Sequence, residues 1–245
     1  MSYSQHNADT GVDSLKRSAS VSVSTDAGAS PVPQMTVFIC GPFGAGKSTV
    51  TDLLGVELKS RGHEVVTIIL DRIGHELLVY DEKLREILVE SFGAQILDSE
   101  GAIDRTALAA AGFADAASLT ALNAITHPPI LARAVGQLAQ HAAAQFCIFE
   151  APLPFAWLER TPGYGSERLL EARENGLMVT VVAPVELRVQ RVEAKGFSEA
   201  DAIARMGAQP ADEAYLEGAD YRIDNTGDMA ALRQSVSQLA DTLCL

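Results

Sequence analysis

The chain has 245 residues, with 19 Lys and Arg against 32 Asp and Glu, which gives a formal net charge of -13 at pH 7. This length allows one domain, or one domain with an inserted subdomain, and the acidic charge argues against nucleic acid and anionic membranes as partners. No apolar run approaches the roughly 18 to 20 residues of a membrane span, and the N-terminus lacks the apolar core of a signal peptide, so a cytoplasmic protein is predicted.

The first predicted segment, residues 1–34, is a disordered tail. It holds eight serines and almost no large apolar side chains. Such a segment buries too little surface to offset the entropy cost of ordering. The folded part is therefore predicted to be residues 35–245.

Five short, β-branched apolar runs predict strands. Near-continuous apolar runs separated by helical patterns are typical of parallel strands that are covered on both faces. The predicted fold class is α/β, with a central parallel five-stranded sheet. The runs are residues 35–40, 64–70, 146–150 and 177–183, with a weaker fifth run at 221–224.

Helical spacing dominates two other parts of the chain. Residues 75–145 carry leucines and isoleucines three and four positions apart with no strand-like run, which predicts a helical insertion. The core then consists of residues 35–74 and 146–245. Apolar residues at the same spacing across 229–243 predict an amphipathic closing helix that packs on the sheet.

The stretch GPFGAGKS, residues 41–48, matches the phosphate-binding pattern G-x-x-x-x-G-K-[ST] and lies between a predicted strand and a predicted helix. Glycines let backbone N–H groups surround a phosphate, the helix N-terminus favours the anion, Lys47 neutralises it, and Ser48 can bind Mg²⁺. The alternative is a glycine-rich turn with a chance lysine. The predicted ligand is a nucleoside triphosphate, bound by Gly41, Gly44, Ala45, Gly46, Lys47, Ser48 and Thr49.

Further motifs distinguish the classes of nucleotide-binding proteins. A regulatory GTPase is expected to have a guanine-reading N-K-x-D motif, which the chain lacks. A motor or AAA-type ATPase usually has a longer chain and an apolar strand that ends in Asp-Glu, which only CIFEAP at 147–152 approaches. The leading class is a small-molecule kinase, which positions an acceptor and neutralises charge on the transferred phosphoryl group.

Such a kinase needs a carboxylate near the acceptor and a mobile basic segment over the phosphates. Asp71 ends the second predicted strand, which is expected to lie beside the strand before the phosphate-binding loop, at the sheet edge where open α/β folds bind ligands. A structural strand-end or capping Asp is the alternative. Residues 185–209 predict two helices with a basic stripe, interpreted as a lid, and a solvated helix face is the alternative. The stripe consists of Arg188, Arg191 and Lys195.

Taken together, these segments resemble the dephospho-coenzyme A kinase family over nearly all of residues 35–245. The resemblance implies a nucleotide-kinase-like fold with a helical acceptor-binding subdomain at 75–145, a lid at 185–209, and ATP and Mg²⁺ as cofactors. The implied reaction phosphorylates the ribose 3′-hydroxyl of dephospho-coenzyme A. Besides the phosphate-binding loop, the matching segments are DRIGHELL (71–78), FGAQILDSEGAIDRTAL (92–108), ITHPPI (125–130), APLPF (151–155), QRVEAKG to RMGAQ (190–209) and ADYRIDNTG (219–227).

The resemblance also implies roles for individual residues. Lys47, Arg191 and Asp71 are expected to be catalytic, with Asp71 as the carboxylate that activates the acceptor. Ser48 and Glu150 are expected to bind the metal ion. The acceptor is expected to contact Asp71, His75, His127 and Pro152, and the nucleotide to contact in addition Lys195, Asn225 and Gly227.

At several positions the chain departs from the family pattern. Ile69 stands where the first aspartate of Asp-Ala-Asp is common, and Glu150 stands where an aspartate is usual. Lys195 replaces a second lid arginine, whereas Arg205 and Gln209 match the second lid helix. The alternatives are a divergent kinase for another small acceptor, or a regulatory NTP-binding module with little turnover. A monomer or weak homo-oligomer is expected.

Overall fold

The structure is a computed structural model that describes residues 32–154 and 166–245. Within these ranges all five predicted strands are present, and their bounds agree with the sequence patterns to within one residue. The strands are β1 (Met35–Cys40), β2 (Val65–Ile69), β3 (Phe146–Glu150), β4 (Leu177–Val182) and β5 (Tyr221–Asp224).

The strands form one parallel sheet in the order β2-β3-β1-β4-β5. The central strand is β1, and Ile39 near its end pairs with Glu150 at the end of β3. The expectation that β2 lies beside β1 is wrong, because β3 returns from the helical insertion and pairs with both strands. The edge position of β2 agrees with the exposure of Thr67 in its middle.

Helices connect all five strands, and in the described ranges none of them is long and apolar enough to cross a membrane. A short 3₁₀ helix at Ala94–Ile96 precedes α4. The helices are α1 (Lys47–Ser60), α2 (Leu70–Tyr80), α3 (Glu82–Phe92), α4 (Arg105–Gly112), α5 (Ala116–Gln140), α6 (Ser166–Glu174), α7 (Val185–Glu193), α8 (Glu199–Gly207), α9 (Asp212–Leu216) and α10 (Met229–Leu243).

Helices cover both faces of the sheet. On one face, α1 and the predicted closing helix α10 contact each other and bury Leu54 and Leu239 against β1, β3 and β4. On the other face, α2, α5 and α6 bury residues such as Leu138 and Leu169 against Phe38 and Phe149. This two-sided burial explains why the strands are almost continuously apolar.

The segment between β2 and β3 is helical, as its spacing predicted. Its helices α3, α4 and α5 enclose a third apolar cluster around Leu88 and Ile96. Pro128 and Pro129 lie inside α5, where each removes one backbone donor from the helix. The helix continues past them, and its C-terminal half buries Leu131 in the main core. The assignment of residues 75–145 as a separate acceptor-binding subdomain stays a prediction.

Residues 32–34 belong to the folded part, whereas the sequence pattern placed them in the tail. Pro33 is buried, and Val32 packs against the apolar cluster on the α5 face of the sheet. The backbone N–H of Gln34 donates to the carbonyl oxygen of Ala144 at 3.2 Å, one position before the β1–β3 ladder begins. The rest of the predicted tail lies outside the described residues.

Candidate active site

The predicted phosphate-binding loop connects β1 to α1. Gly44 and Gly46 have φ angles of 80° and 100°, in the left-handed region that side chains disfavour. A Cβ atom at Gly46 would lie 2.3 Å from Nδ2 of Asn225, so the turn also has no space for a side chain. Because α1 begins at Lys47, its unpaired N–H groups and the positive end of its dipole face this loop. The backbone is therefore arranged to bind an anion.

Lys47 is the first residue of α1, and its almost fully buried side chain reaches back to the loop. Its Nζ donates to the carbonyl oxygens of Gly41 at 2.9 Å and Pro42 at 3.3 Å. Burial lowers the pKa of Lys47, while the negative charges of Asp71 and Glu150 oppose that shift. These two carboxylates therefore lie close enough to stabilise the ammonium, which places all three groups in one site.

Ser48 and Glu150 form a hydrogen-bonded pair beside Lys47. Oγ of Ser48 donates to Oε1 of Glu150 at 2.8 Å. Glu150 is only 3% exposed, and its second oxygen, Oε2, has no hydrogen-bond partner among the described residues. A buried carboxylate oxygen without a donor needs a cation or a ligand to compensate it. Hydroxyl and carboxylate oxygens are ligands that Mg²⁺ accepts, so this pair fits the predicted metal ion.

Asp71 lies in a different element from the one that its sequence position suggested. Strand β2 ends at Ile69, and Asp71 stands in the first turn of α2, where its side chain is exposed. Leu70, the first residue of that helix, is buried and fixes its start against the core. The carboxylate nevertheless acts on Lys47 from the β2 side of the site.

Arg191 of α7 contacts the phosphate-binding loop from the opposite side. Its guanidinium donates to the carbonyl oxygen of Ala45 at 3.3 Å and to that of Asn225 at 2.9 Å. The buried Asn225 donates from Nδ2 to the same oxygen of Ala45 at 2.8 Å. Burial lowers the pKa of the Arg191 guanidinium. Arg191 and Asn225 therefore both donate to the carbonyl oxygen of Ala45. Gly227 lies in the exposed turn after β5.

The basic stripe of the predicted lid is not a continuous helix face. Arg188 is 3% exposed and pairs with Asp212 of α9 at 2.8 Å. Its Nε has no hydrogen-bond partner among the described residues. Helix α7 ends at Glu193, so Lys195 lies beyond it in the turn before α8. Arg188 is therefore a buried, ion-paired member of the predicted stripe, because the carboxylate of Asp212, 24 positions away in the sequence, accepts from its guanidinium.

The predicted acceptor residues are distributed over three elements. His75 is exposed on α2, His127 is half-buried on α5, and the two helices contact each other. Burial lowers the pKa of His127 to about 4. Pro152 follows β3, and its carbonyl oxygen accepts from the Tyr215 hydroxyl at 3.1 Å. The structure thus places Pro152 near the loop and the two histidines on the helical insertion.

Sequence reasoning missed two residues that support this site. Asp212 holds Arg188, and Tyr215 holds the segment after β3. Both lie in the short helix α9, which carries no motif and only five residues. No local signal could have found them, because their roles depend on contacts with distant parts of the chain.

The assembled groups are suited to phosphoryl transfer. Cations and helix N–H groups neutralise phosphate oxygens, the Ser48–Glu150 pair offers metal ligands, and Asp71 supplies a carboxylate at the open side. The same set without a bound acceptor would serve NTP binding alone. Geometry therefore supports a nucleotide site, and comparison with known proteins identifies the acceptor class.

The family model described as dephospho-CoA kinase matches residues 35–231. A dephospho-CoA kinase of Corynebacterium glutamicum is 33% identical over 208 residues, which cover 84% of this chain and 97% of the relative. A solved structure from Thermus thermophilus has 30% identity and a TM-score of 0.62, over 86% of this chain and 98% of that one. The dephospho-CoA kinase of Campylobacter jejuni shares the fold, with 24% identity, a TM-score of 0.51, and coverage of 85% and 96%.

Proposed function

The chain belongs to the dephospho-coenzyme A kinase family, and from this membership we propose how its site carries out the ATP-dependent phosphorylation of dephospho-coenzyme A. The observation that supports the assignment of the site is the meeting of Lys47, the Ser48–Glu150 pair and the Asp71 charge at one end of the sheet. That arrangement has a phosphate side and an acceptor side.

On the phosphate side, the loop and the first turn of α1 bind the ATP phosphates through backbone N–H groups. The contributing residues include Gly41, Gly44, Ala45, Gly46 and Thr49. Lys47 neutralises the transferred phosphoryl group, for which its burial is suited, since a charge acts more strongly where water is excluded. Asn225, Gly227 and Lys195 complete the nucleotide side.

Ser48 and Glu150 are proposed to hold Mg²⁺. Oε2 of Glu150, which no donor among the described residues contacts, supports this assignment. A bound Mg²⁺ would neutralise charge on the phosphate oxygens. Glu150 is longer than the aspartate usual in the family, and its hydrogen bond to Ser48 keeps the carboxylate oriented at the loop.

On the acceptor side, Asp71 is proposed to orient the ribose 3′-hydroxyl and to accept its proton as the phosphoryl group is transferred. A hydroxyl has a high pKa, so a positioned carboxylate is useful late in the transfer. His75, His127 and Pro152 are proposed to contact the acceptor. The exposure of Asp71 supports access by a ligand from solvent.

Arg191 is proposed to be the lid cation that contacts the transferring phosphoryl group. Its present hydrogen bonds to Ala45 and Asn225 support this role, since they hold the guanidinium next to the loop. A cytoplasmic enzyme that acts as a monomer or weak homo-oligomer belongs to the same proposal, and size-exclusion chromatography with light scattering tests its oligomeric state.

A coupled assay of ADP release tests the function. The protein is mixed with ATP, Mg²⁺ and, separately, dephospho-coenzyme A, nucleosides and nucleoside monophosphates. We expect release with dephospho-coenzyme A alone, and ³¹P NMR of the product should show a 3′-phosphate. Release with another acceptor would favour a divergent kinase, and ATP binding without release would favour a regulatory module.

A further inference from the structure

Phe43, the third residue of the phosphate-binding loop, contacts the segment that follows α7. Its backbone N–H donates to Oε1 of Gln209 at 2.7 Å. Its ring meets the ring of Phe197 edge-on, with centroids 5.6 Å apart and an interplanar angle of 84°. Phe197 lies in the turn between α7 and α8, and Gln209 lies just after α8. Phe43 therefore contacts residues that flank both ends of α8.

Arg205 of α8 joins the same pair of rings. Its guanidinium carbon lies 4.8 Å from the centroid of Phe197 and 5.8 Å from that of Phe43. Both distances are within the range in which a cation is attracted to an aromatic face. We call Phe43, Phe197, Arg205 and Gln209 the loop–lid contact.

Gln209 extends this contact to a third segment. Its Nε2 donates to the carbonyl oxygen of Pro152 at 3.4 Å, on the oxygen that also accepts from Tyr215. The loop–lid contact thus links the segment after β3, the phosphate-binding loop and α8. It also determines which N–H groups can bind phosphate, because Pro42 has none and that of Phe43 is occupied by Gln209. Phosphate must then be bound further along, from Gly44 to the first turn of α1.

We propose that Phe43 is a positioning residue: its ring and N–H hold α8 and the turn before it against the phosphate-binding loop, and thereby help to keep Arg191 of the adjoining α7 beside the phosphates. The proposal rests on the proposed function in taking ATP as the nucleotide and Arg191 as the lid cation. Arg205 is exposed and Phe197 is half-buried, so the contact is not part of the apolar core. Its loss should loosen the lid and leave the fold intact.

The test measures how fast the protein releases a fluorescent ATP analogue labelled on the ribose, in the presence of Mg²⁺, by stopped-flow chase with unlabelled ATP. Phe43→Leu and Phe197→Leu should each speed release by between about threefold and tenfold, the range of aromatic-pair and cation–π interactions. The double variant should release no faster than the faster single variant, because both changes break one interaction.

Two control variants and two further measurements separate the contact from general destabilisation. Phe197→Tyr retains the ring and should release the analogue within about twofold of the wild-type rate. Phe113→Leu replaces a phenylalanine that is 51% exposed at the end of α4, far along the chain, and should change nothing. Melting temperature and the KM for dephospho-coenzyme A should stay unchanged in every variant.

Wild-type release from both leucine variants would overturn the proposal, as would effects that multiply in the double variant. If Phe43→Leu does not fold, Phe197→Leu and Arg205→Gln still decide the question, because neither lies in the loop. Release needs no acceptor, so a failure to phosphorylate dephospho-coenzyme A would contradict the proposed function and leave this measurement valid.

Discussion

Among single residues, the site combines one positive side chain, that of Lys47, with the negative side chains of Glu150 and Asp71. These side chains differ in their exposure to solvent. Lys47 and Glu150 are buried, whereas Asp71 is open to solvent. A buried ammonium is tolerated here because two carboxylates lie near it, and burial still lowers its pKa. This difference in exposure agrees with their proposed roles. The buried Lys47 and Glu150 are suited to contact phosphate and a metal ion, and the exposed carboxylate of Asp71 is accessible to an acceptor.

Replacing Asp71 by Asn should lower kcat on the order of 10²-fold or more, because Asn keeps the size and hydrogen-bonding shape but cannot accept a proton. ATP binding and the melting temperature should stay normal. Asp52→Asn, an exposed aspartate on α1, is the matched control and should leave kcat unchanged. A normal melt together with near wild-type kcat for Asp71→Asn would remove this carboxylate from the mechanism.

Replacing Glu150 by Gln should raise the Mg²⁺ concentration for half-maximal activity by about tenfold or more, since one ligand charge would be lost at the proposed metal site. The amide can still accept the Ser48 hydrogen bond, so the fold should persist. Activity is titrated with Mg²⁺ at saturating ATP, and circular dichroism checks the fold. An unchanged Mg²⁺ requirement would contradict the metal assignment of Glu150.

Among secondary-structure elements, α7 is held to the core by its arginines. Arg188 is buried and pairs with the half-exposed Asp212 of α9, while Arg191 contacts the phosphate-binding loop. Gly44 adjoins α7 so closely that a Cβ atom there would lie 2.9 Å from Cβ of Arg188. Arg188 therefore joins α7 to α9, whereas Arg191 contacts the loop and is the cation for which we propose a role in phosphoryl transfer.

Replacing Arg191 by Ala should lower kcat on the order of 10²-fold and raise the KM for ATP much less, because a lid cation acts mainly on the transferring phosphoryl group. Steady-state kinetics with varied ATP separates the two effects. Arg222→Ala, at an exposed position on β5, serves as the control. If only the KM rises, Arg191 is a ground-state nucleotide contact.

Through His127, helix α5 should make the stability of the protein depend on pH. Burial lowers the pKa of His127 to about 4, below its usual value near 6.5. The unfolded chain therefore binds this proton first, so the free energy of unfolding should fall as the pH drops from about 6.5 toward 4. This contribution is fully present above the unfolded pKa.

Urea denaturation at several pH values measures this dependence. His127→Gln should flatten the slope between pH 6.5 and 4 relative to the wild type, since the titrating group is gone. His75→Gln, on the exposed side of α2, is the matched control and should keep the wild-type slope. A wild-type slope in His127→Gln would assign the dependence to other groups.

For the whole molecule, the sheet is the frame that holds the site together. Residues of β1 and β3 contribute to the apolar clusters on both faces of the sheet, and the two strands pair with each other. The phosphate-binding loop, which follows β1, therefore lies beside Glu150 at the end of β3. The chain enters this frame at residues 32–34, where Pro33 is buried and Val32 packs on the core.

Two deletions test where the folded part begins. Deletion of residues 1–31 should leave the melting temperature and the rate nearly unchanged, because their composition offers little apolar surface. Deletion of residues 1–34 also removes Val32 and Pro33, and should lower the melting temperature by roughly 2 to 4 °C, the shift expected for about 1 kcal/mol in a domain of this size. Equal melting temperatures would contradict the packing of residues 32–34.

Local pattern alone determined the strands, the phosphate-binding loop and the helical spacing of the insertion. Each depends on neighbours within a few positions, as in the apolar run Met35–Cys40 that leads into Gly41. The break before α8 is equally local, since Ser198 caps that helix by accepting from the N–H of Asp201. Such features depend on residues that are close together in the sequence.

Only the tertiary structure decided the order of the strands and the partners of the charges. Strand β3 lies between β1 and β2 although it follows them by many residues, because pairing in a parallel sheet is set by how the connecting helices pack. The same distance in sequence hid the Arg188–Asp212 pair and the Phe43–Gln209 hydrogen bond, which join residues 24 and 166 positions apart. A contact between residues so far apart leaves no periodic trace in the sequence, so it forms only when the sheet brings its partners together.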